Sequence, residues 1–398
     1  MGFRILAGLT APKILKPLLL VVVLIGLVGP GSGVALSQSS TRISGQAPLY
    51  TAIDLHPSGF VESHGRGISG EQQVGDIWVP PGIGETHAVV WRGSAANMVD
   101  LHPRGFSEGS DARGVCGGEQ VGAGFPNMSG DRNLHALLWR GSAASAVDLN
   151  PRGFLQSVAL GTSGDQQVGE GDWAYLTTHA LLWRGSATSV VDLNPRGFEQ
   201  SHATATSGDQ QVGWGFGPAT GGEVHALLWH GSADNVVDLH PLGFTLSAAD
   251  GTFGGQQVGV ASNSGWDNGH ALMWRGSAAS AVDLNPHGFT SSRAHATNGE
   301  EQVGSGVPEG APLIVGYWGH ISAAHALLWR GNAASVVDLH PFLPPRFVES
   351  TASGIDAAGN VVGEASDAGA RPHAFLWRRN VPNQAHPAAR TLCDAGKR

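Results

Sequence analysis

Between Lys16 and Lys397 the chain has no lysine. Charged residues of every kind make up only 14% of its 398 residues, and the net charge is −9. The remaining basic groups are scattered arginines. A nucleic-acid binder needs a clustered basic face, so that class is excluded. Cysteine is almost missing too. Cys116 and Cys393 are the whole complement, too few for a paired-cysteine zinc site. They leave one disulfide available in an oxidising compartment, which would staple the C-terminal tail to the second repeat. After Val28 no apolar run is long enough to span a bilayer, which takes about 20 residues. No HExxH zinc-protease signature occurs. No metal ligand, cofactor or catalytic residue is assigned on this reading.

The one apolar run, Leu18 to Val28, follows Arg4, Lys13 and Lys16 and precedes Ala35-Leu36-Ser37. That is the order of a secretory signal, expected to be cleaved after Ser37, with an uncleaved anchor as the alternative. The expected organisation is a signal peptide over 1–37, a linker over 38–48, a repeat domain over 49–379 and a polar tail over 380–398.

Glycine is abundant, with 59 residues, and the chain repeats itself. Tryptophans fall at 91, 139, 183, 229, 274, 329 and 377. Four residues before each stands a histidine: His87, His135, His179, His225, His270, His325 and His373. A Val-Gly pair precedes each histidine, and an Asp-Leu pair recurs as often. A unit of about 45 residues is the size of a propeller blade. In the third unit, four short strands are expected near Ser157–Thr162, Gln167–Glu170, His179–Arg184 and Val190–Leu193, called a to d. Asn194-Pro195 ends the last, since proline lacks the donor a central strand needs.

Strand c is apolar on both faces (Leu181 and Trp183, Ala180 and Leu182), as expected of a sheet sandwiched between two others. The chain enters with a lone strand d at Ala52–Leu55 and leaves with strands a, b and c alone. The two pieces complete one blade and remove the open edges. The expected fold is all-β: a seven-bladed β-propeller, four antiparallel strands per blade, closed by the N-terminal strand d against the C-terminal blade.

The phrases Ser353-Gly354-Ile355-Asp356-Ala357-Ala358-Gly359-Asn360-Val361-Val362-Gly363 and His373-Ala374-Phe375-Leu376-Trp377 resemble the HAF-type probable extracellular repeat. The resemblance covers roughly residues 50–379, although six of the seven copies replace the Phe of the motif. It implies an extracellular location and a β-rich repeat fold, and no established activity.

The repeated histidines are read as structural, with a diagonal His–Asp pair between strands c and d within reach. The acidic residues of the a–b turns, such as Glu119 and Asp165, are read as solvated. Variable b–c loops on a rigid scaffold are the expected binding surface. They hold the aromatics outside the repeat: Trp78, Trp173, Tyr175, Trp214, Phe216, Trp266, Tyr317 and Trp318. The functional expectation is a secreted, monomeric, non-enzymatic binding or scaffold propeller with an extracellular glycan or protein as partner and no stable membrane span. The alternative is a glycoside hydrolase or lyase using loop carboxylates such as Asp76, Glu170 and Asp172.

Overall fold

The computed structural model describes residues 49–80, 85–126, 133–173, 177–311 and 323–380. The chain divides into Met1–Gln46 and Ala47–Arg398. The second unit is a seven-bladed β-propeller of four-stranded antiparallel sheets. The expected leader and linker, and the tail beyond Asn380, lie outside the described residues. Among the described residues no helix is long and apolar enough to cross a membrane.

Blade 3 shows the unit. Its strands are Gln156–Thr162, Gln167–Asp172, Thr178–Trp183 and Val191–Asp192. Strand d is only two residues long, between the 3-10 turn Ala187–Ser189 and Pro195. The ring closes where Tyr50–Asp54 pairs antiparallel with Pro372–Arg379, Ala52 opposite Trp377 and Ile53 opposite Leu376. Arg379 reinforces the join, donating to the Tyr50 hydroxyl and the Glu301 carboxylate.

The core lies between blades. Leu181 and Trp183 pack back on Val121 and Leu138 of blade 2, while Ala180 and Leu182 pack forward on Leu227 and Trp229 of blade 4. That is why strand c has no polar face. All seven repeated tryptophans are fully buried. The Val-Gly pair has a steric cause. A Cβ on Gly169 would lie 1.9 Å from the Val158 carbonyl oxygen, and each equivalent glycine meets the same obstacle at 1.7–2.0 Å. Strand a bulges at this point, so strand b must press against its backbone.

A polar network recurs at every seam. Each repeated histidine bonds through Nδ1 to the Asp-Leu aspartate, at 2.7–3.0 Å. The other aspartate oxygen accepts the backbone N–H two residues on. That residue is His or Asn, and it bonds a serine on strand a of the next blade, as Asn150 bonds Ser157 and His102 bonds Ser110. The serine Oγ also accepts the N–H of the alanine after the repeated histidine, as from Ala136 and Ala88.

Asparagine fills the linking position at 150, 194 and 285, accepting the serine proton on Oδ1 at 2.6–2.7 Å. His56, His102, His240 and His340 fill it elsewhere. By analogy their Nδ1 is the acceptor and Nε2 carries the proton, given to the Phe106 and Phe244 carbonyls in two blades. Each of the four stacks on a repeated histidine at 4.0–4.2 Å.

The Gly169→Ala variant is expected to lose about 1–3 kcal/mol or more, since the new methyl meets backbone that cannot yield. Denaturant unfolding against the parent measures it. The linking histidines give a pH dependence. Burial, then the charge of the stacked partner, hold all four below the ordinary 6.5. The unfolded chain therefore binds more protons in acid. This share of stability is whole above about pH 6.5 and is lost as the pH falls towards the folded-state value. A variant with all four changed to Asn is expected to match the parent at about pH 7.5 and to lose less in melting temperature by about pH 5.

Candidate functional site: the central channel

Strand a of every blade contacts strand a of both neighbours, so these seven strands ring the central axis. Their shared pattern is Ser-x-Gly/Ala-x, as in Ser63-His64-Gly65-Arg66 and Ser201-His202-Ala203-Thr204. The serine and the small residue belong to the repeat. The two x positions do not: they change chemistry from blade to blade where the surrounding sequence barely changes.

The result is an asymmetric wall. Blades 6, 7, 1 and 2 contribute Arg293 and His295, Thr351 and Ser353, His64 and Arg66, and Asp111 and Arg113. Blades 3 to 5 contribute Val158, Leu160, His202, Thr204, Ala248 and Asp250. A cavity of about 220 Å³ opens on the polar arc, lined by Arg66, Arg113, His295, Thr351 and Ser353.

Charges on the wall are paired. Arg66 Nε donates to Asp76 at 2.7 Å, and Arg113 forks onto Asp111 at 2.8 and 2.9 Å. Arg293 forks onto Asp250 at 2.6 Å. Burial alone would lower the His64 imidazole, yet the Glu364 carboxylate 2.7 Å away holds it above its ordinary value. Glu364 is correspondingly held down, its burial outweighed by His64 and Arg66. His295 bonds Ser305 at 3.3 Å, and enclosure pushes it down to about 4, so it is neutral near pH 7. Across the channel His202 bonds Glu170 at 2.5 Å and stacks under Trp214 at 3.7 Å.

Three of the aromatics expected in loops lie elsewhere. Trp78, Trp214 and Phe216 are residues of strand b, not of the loops. Strand b runs further than its sequence suggests because its glycines serve close packing. A Cβ on Gly215 would come within 2.9–3.1 Å of Gln200 O, Phe198 and Leu227. Trp173 and Trp266 are exposed, but separately: Trp173 leans on Phe154 and Trp266 lies beside Arg293. Tyr175, Tyr317 and Trp318 lie outside the described residues. The carboxylates of the hydrolase alternative move as well. Asp76 and Glu170 are strand residues paired to Arg66 and His202, and Asp172 accepts Gln156.

One smaller point also differs. Glu119 is buried, binding Thr162 and Gln167 of the next blade instead of water. Gly105-Phe106-Ser107-Glu108-Gly109 formally fits a G-x-S-x-G pattern, but it enters strand Phe106–Cys116, with no strand-to-helix turn to make a nucleophile elbow. Cys116 is disulfide-bonded, and Cys393 lies outside the described residues. Among the described residues no group of three His, Cys, Asp or Glu side chains is placed to hold a metal.

No family model matches the chain, and no curated protein matches it. Solved structures share its fold at low identity. The β-propeller domain of the Trilobed protease from Pyrococcus furiosus superimposes with a TM-score of 0.54 at 10% identity, over 84% of this chain and 98% of that domain. That domain is described as having an open velcro topology, whereas here the N-terminal strand completes the last blade. A puromycin hydrolase matches at 0.50 and 14% identity, over 87% of this chain and 60% of its own. The acylaminoacyl peptidase of Pyrococcus horikoshii matches at 0.50 and 11%, over 83% and 54%. The chain thus spans little more than half of the last two.

The expectation of a binding module that reads glycans or surface proteins through b–c loop aromatics is therefore corrected. The three propellers compared above come from a protease, a hydrolase and a peptidase, and Trp78, Trp214 and Phe216 lie in strand b.

Proposed function

We propose that the central channel is the working part of the molecule. In this reading it takes an extended peptide, and the propeller handles substrate for peptide hydrolysis. The observation that carries the reading is the channel wall. A repeat that keeps its seams almost unchanged varies its chemistry at the two channel positions of strand a, and a cavity opens there. The polar arc suits the amide groups and end of a peptide, and Val158, Leu160 and Trp214 suit its side chains. The peptidases that share the fold favour peptide over other linear polymers. The reaction itself is assigned to a catalytic unit other than the blades.

The same reading places the chain outside the cytoplasm, among HAF-type extracellular repeats. The order of charge, apolar run and small residues at the N-terminus supports this, as does a bonded Cys116.

The test is photolabelling of the full chain with acetylated penta-alanine carrying benzoylphenylalanine at its centre, read by mass spectrometry. Adducts are expected on strand a residues of blades 1, 2, 4 and 7. Adducts confined to the Trp173 and Trp266 loops, or none at all, would overturn the channel reading.

A further inference from the structure

We infer that Arg66, Arg113, Thr351 and Ser353 form a carboxylate-binding site in the channel, taking the C-terminal carboxylate of a peptide. The inference rests on the peptide reading above and adds direction to it.

The argument begins with donors. Arg66 gives only its Nε to Asp76, and Arg113 gives Nε and Nη2 to Asp111. Among the described residues, neither terminal nitrogen of Arg66 has a hydrogen-bond partner. The same holds for Arg113 Nη1 and the Thr351 and Ser353 hydroxyls. All four side chains line the same cavity. They come from three blades, 7, 1 and 2, so a ligand there bridges two seams. The two arginines are also close neighbours, each tethered to a carboxylate. A Cβ on Gly67 would lie 3.0 Å from the Arg113 carbonyl oxygen, so the two strands abut. Each arginine is held by its own aspartate. A pre-oriented guanidinium fork presenting unused N–H groups matches the two in-plane oxygens of a carboxylate.

Charge selects among oxyanions. Asp76 and Asp111 offset the two arginines, Glu364 is bonded to His64, and His295 is neutral near pH 7. The pocket therefore has directed donors without a large positive excess. A singly charged carboxylate fits that balance better than a doubly charged phosphate. A cavity of about 220 Å³ equals the liquid volume of about seven waters, room for a terminal residue and its carboxylate.

The experiment compares the acetylated penta-alanine photoprobe bearing a free C-terminal carboxylate with its C-terminal amide. Affinity is read by competition in the labelling assay with the full chain. The acid is expected to bind about tenfold to a hundredfold tighter. The difference should vanish in Arg113→Met, whose fold is checked by its melting temperature. If that variant does not fold, Thr351→Val, which removes one donor and no charge, is expected to shrink the difference. Acid and amide binding equally to the parent would overturn the carboxylate site and leave the peptide channel standing. Inorganic phosphate displacing the acid better than acetate does would overturn the preference for a carboxylate. Failure of both peptides to bind would remove the peptide reading and this inference with it.

Discussion

The propeller depends on one hydroxyl per seam. Each strand a serine accepts an N–H from the preceding blade and gives its proton to the histidine or asparagine that links the two blades. Both of its roles are filled inside protein. Each such bond contributes about 0.5–1.5 kcal/mol net, but an unfilled one leaves a buried polar group, which costs more. The alternatives at the linking position show how narrow the demand is. Asparagine and neutral histidine both offer an acceptor facing the serine. Valine or leucine there would leave the hydroxyl without one.

The seam serines and the buried tryptophan layer are common to every blade, whereas the channel-facing side chains of strand a add contacts that differ from seam to seam, as Arg293 forks onto Asp250 and His64 bonds Glu364. Arg66, Leu160 and His295 occupy equivalent positions with unlike sizes and charges, yet each stands beside the same serine and the same close-packed glycine or alanine. This separation lets near-identical repeats build a wall that is charged on one arc and partly apolar on the other.

The architecture was legible in the sequence because its causes are periodic. His87 and its six equivalents, the Val-Gly pairs and the Asp-Leu pairs mark the blade, and the lone strand at Tyr50–Asp54 marks the closure. The register placing Asp192 opposite Leu181 follows from the same spacing. The site was harder to read. Val212-Gly213-Trp214-Gly215-Phe216 looks like the start of a flexible loop, because glycine usually marks one. Here the glycines are needed for contact with strand a, and Trp214 is part of a sheet. Glu119 looks like a turn residue and is buried because blade 3 supplies Thr162 and Gln167 to meet it. The usable signal was variation inside strand a, at the residues either side of the invariant glycine or alanine. It becomes visible only once strand a is known to face the axis.

Closing the ring with the first strand sets an order on biosynthesis. Asp54 and His373, partners in the last blade, are 319 residues apart in sequence. At about 5–20 residues per second, the ribosome needs roughly 15–60 s to supply the second after the first. For that time Tyr50–Asp54 has no blade to join, while the intervening blades gain partners one after another. It is a short strand of five residues, which limits its chance of pairing with a wrong edge. The nascent protein is an open arc until strand Pro372–Arg379 emerges, and the channel first exists as an enclosed space once that strand has met Tyr50–Asp54.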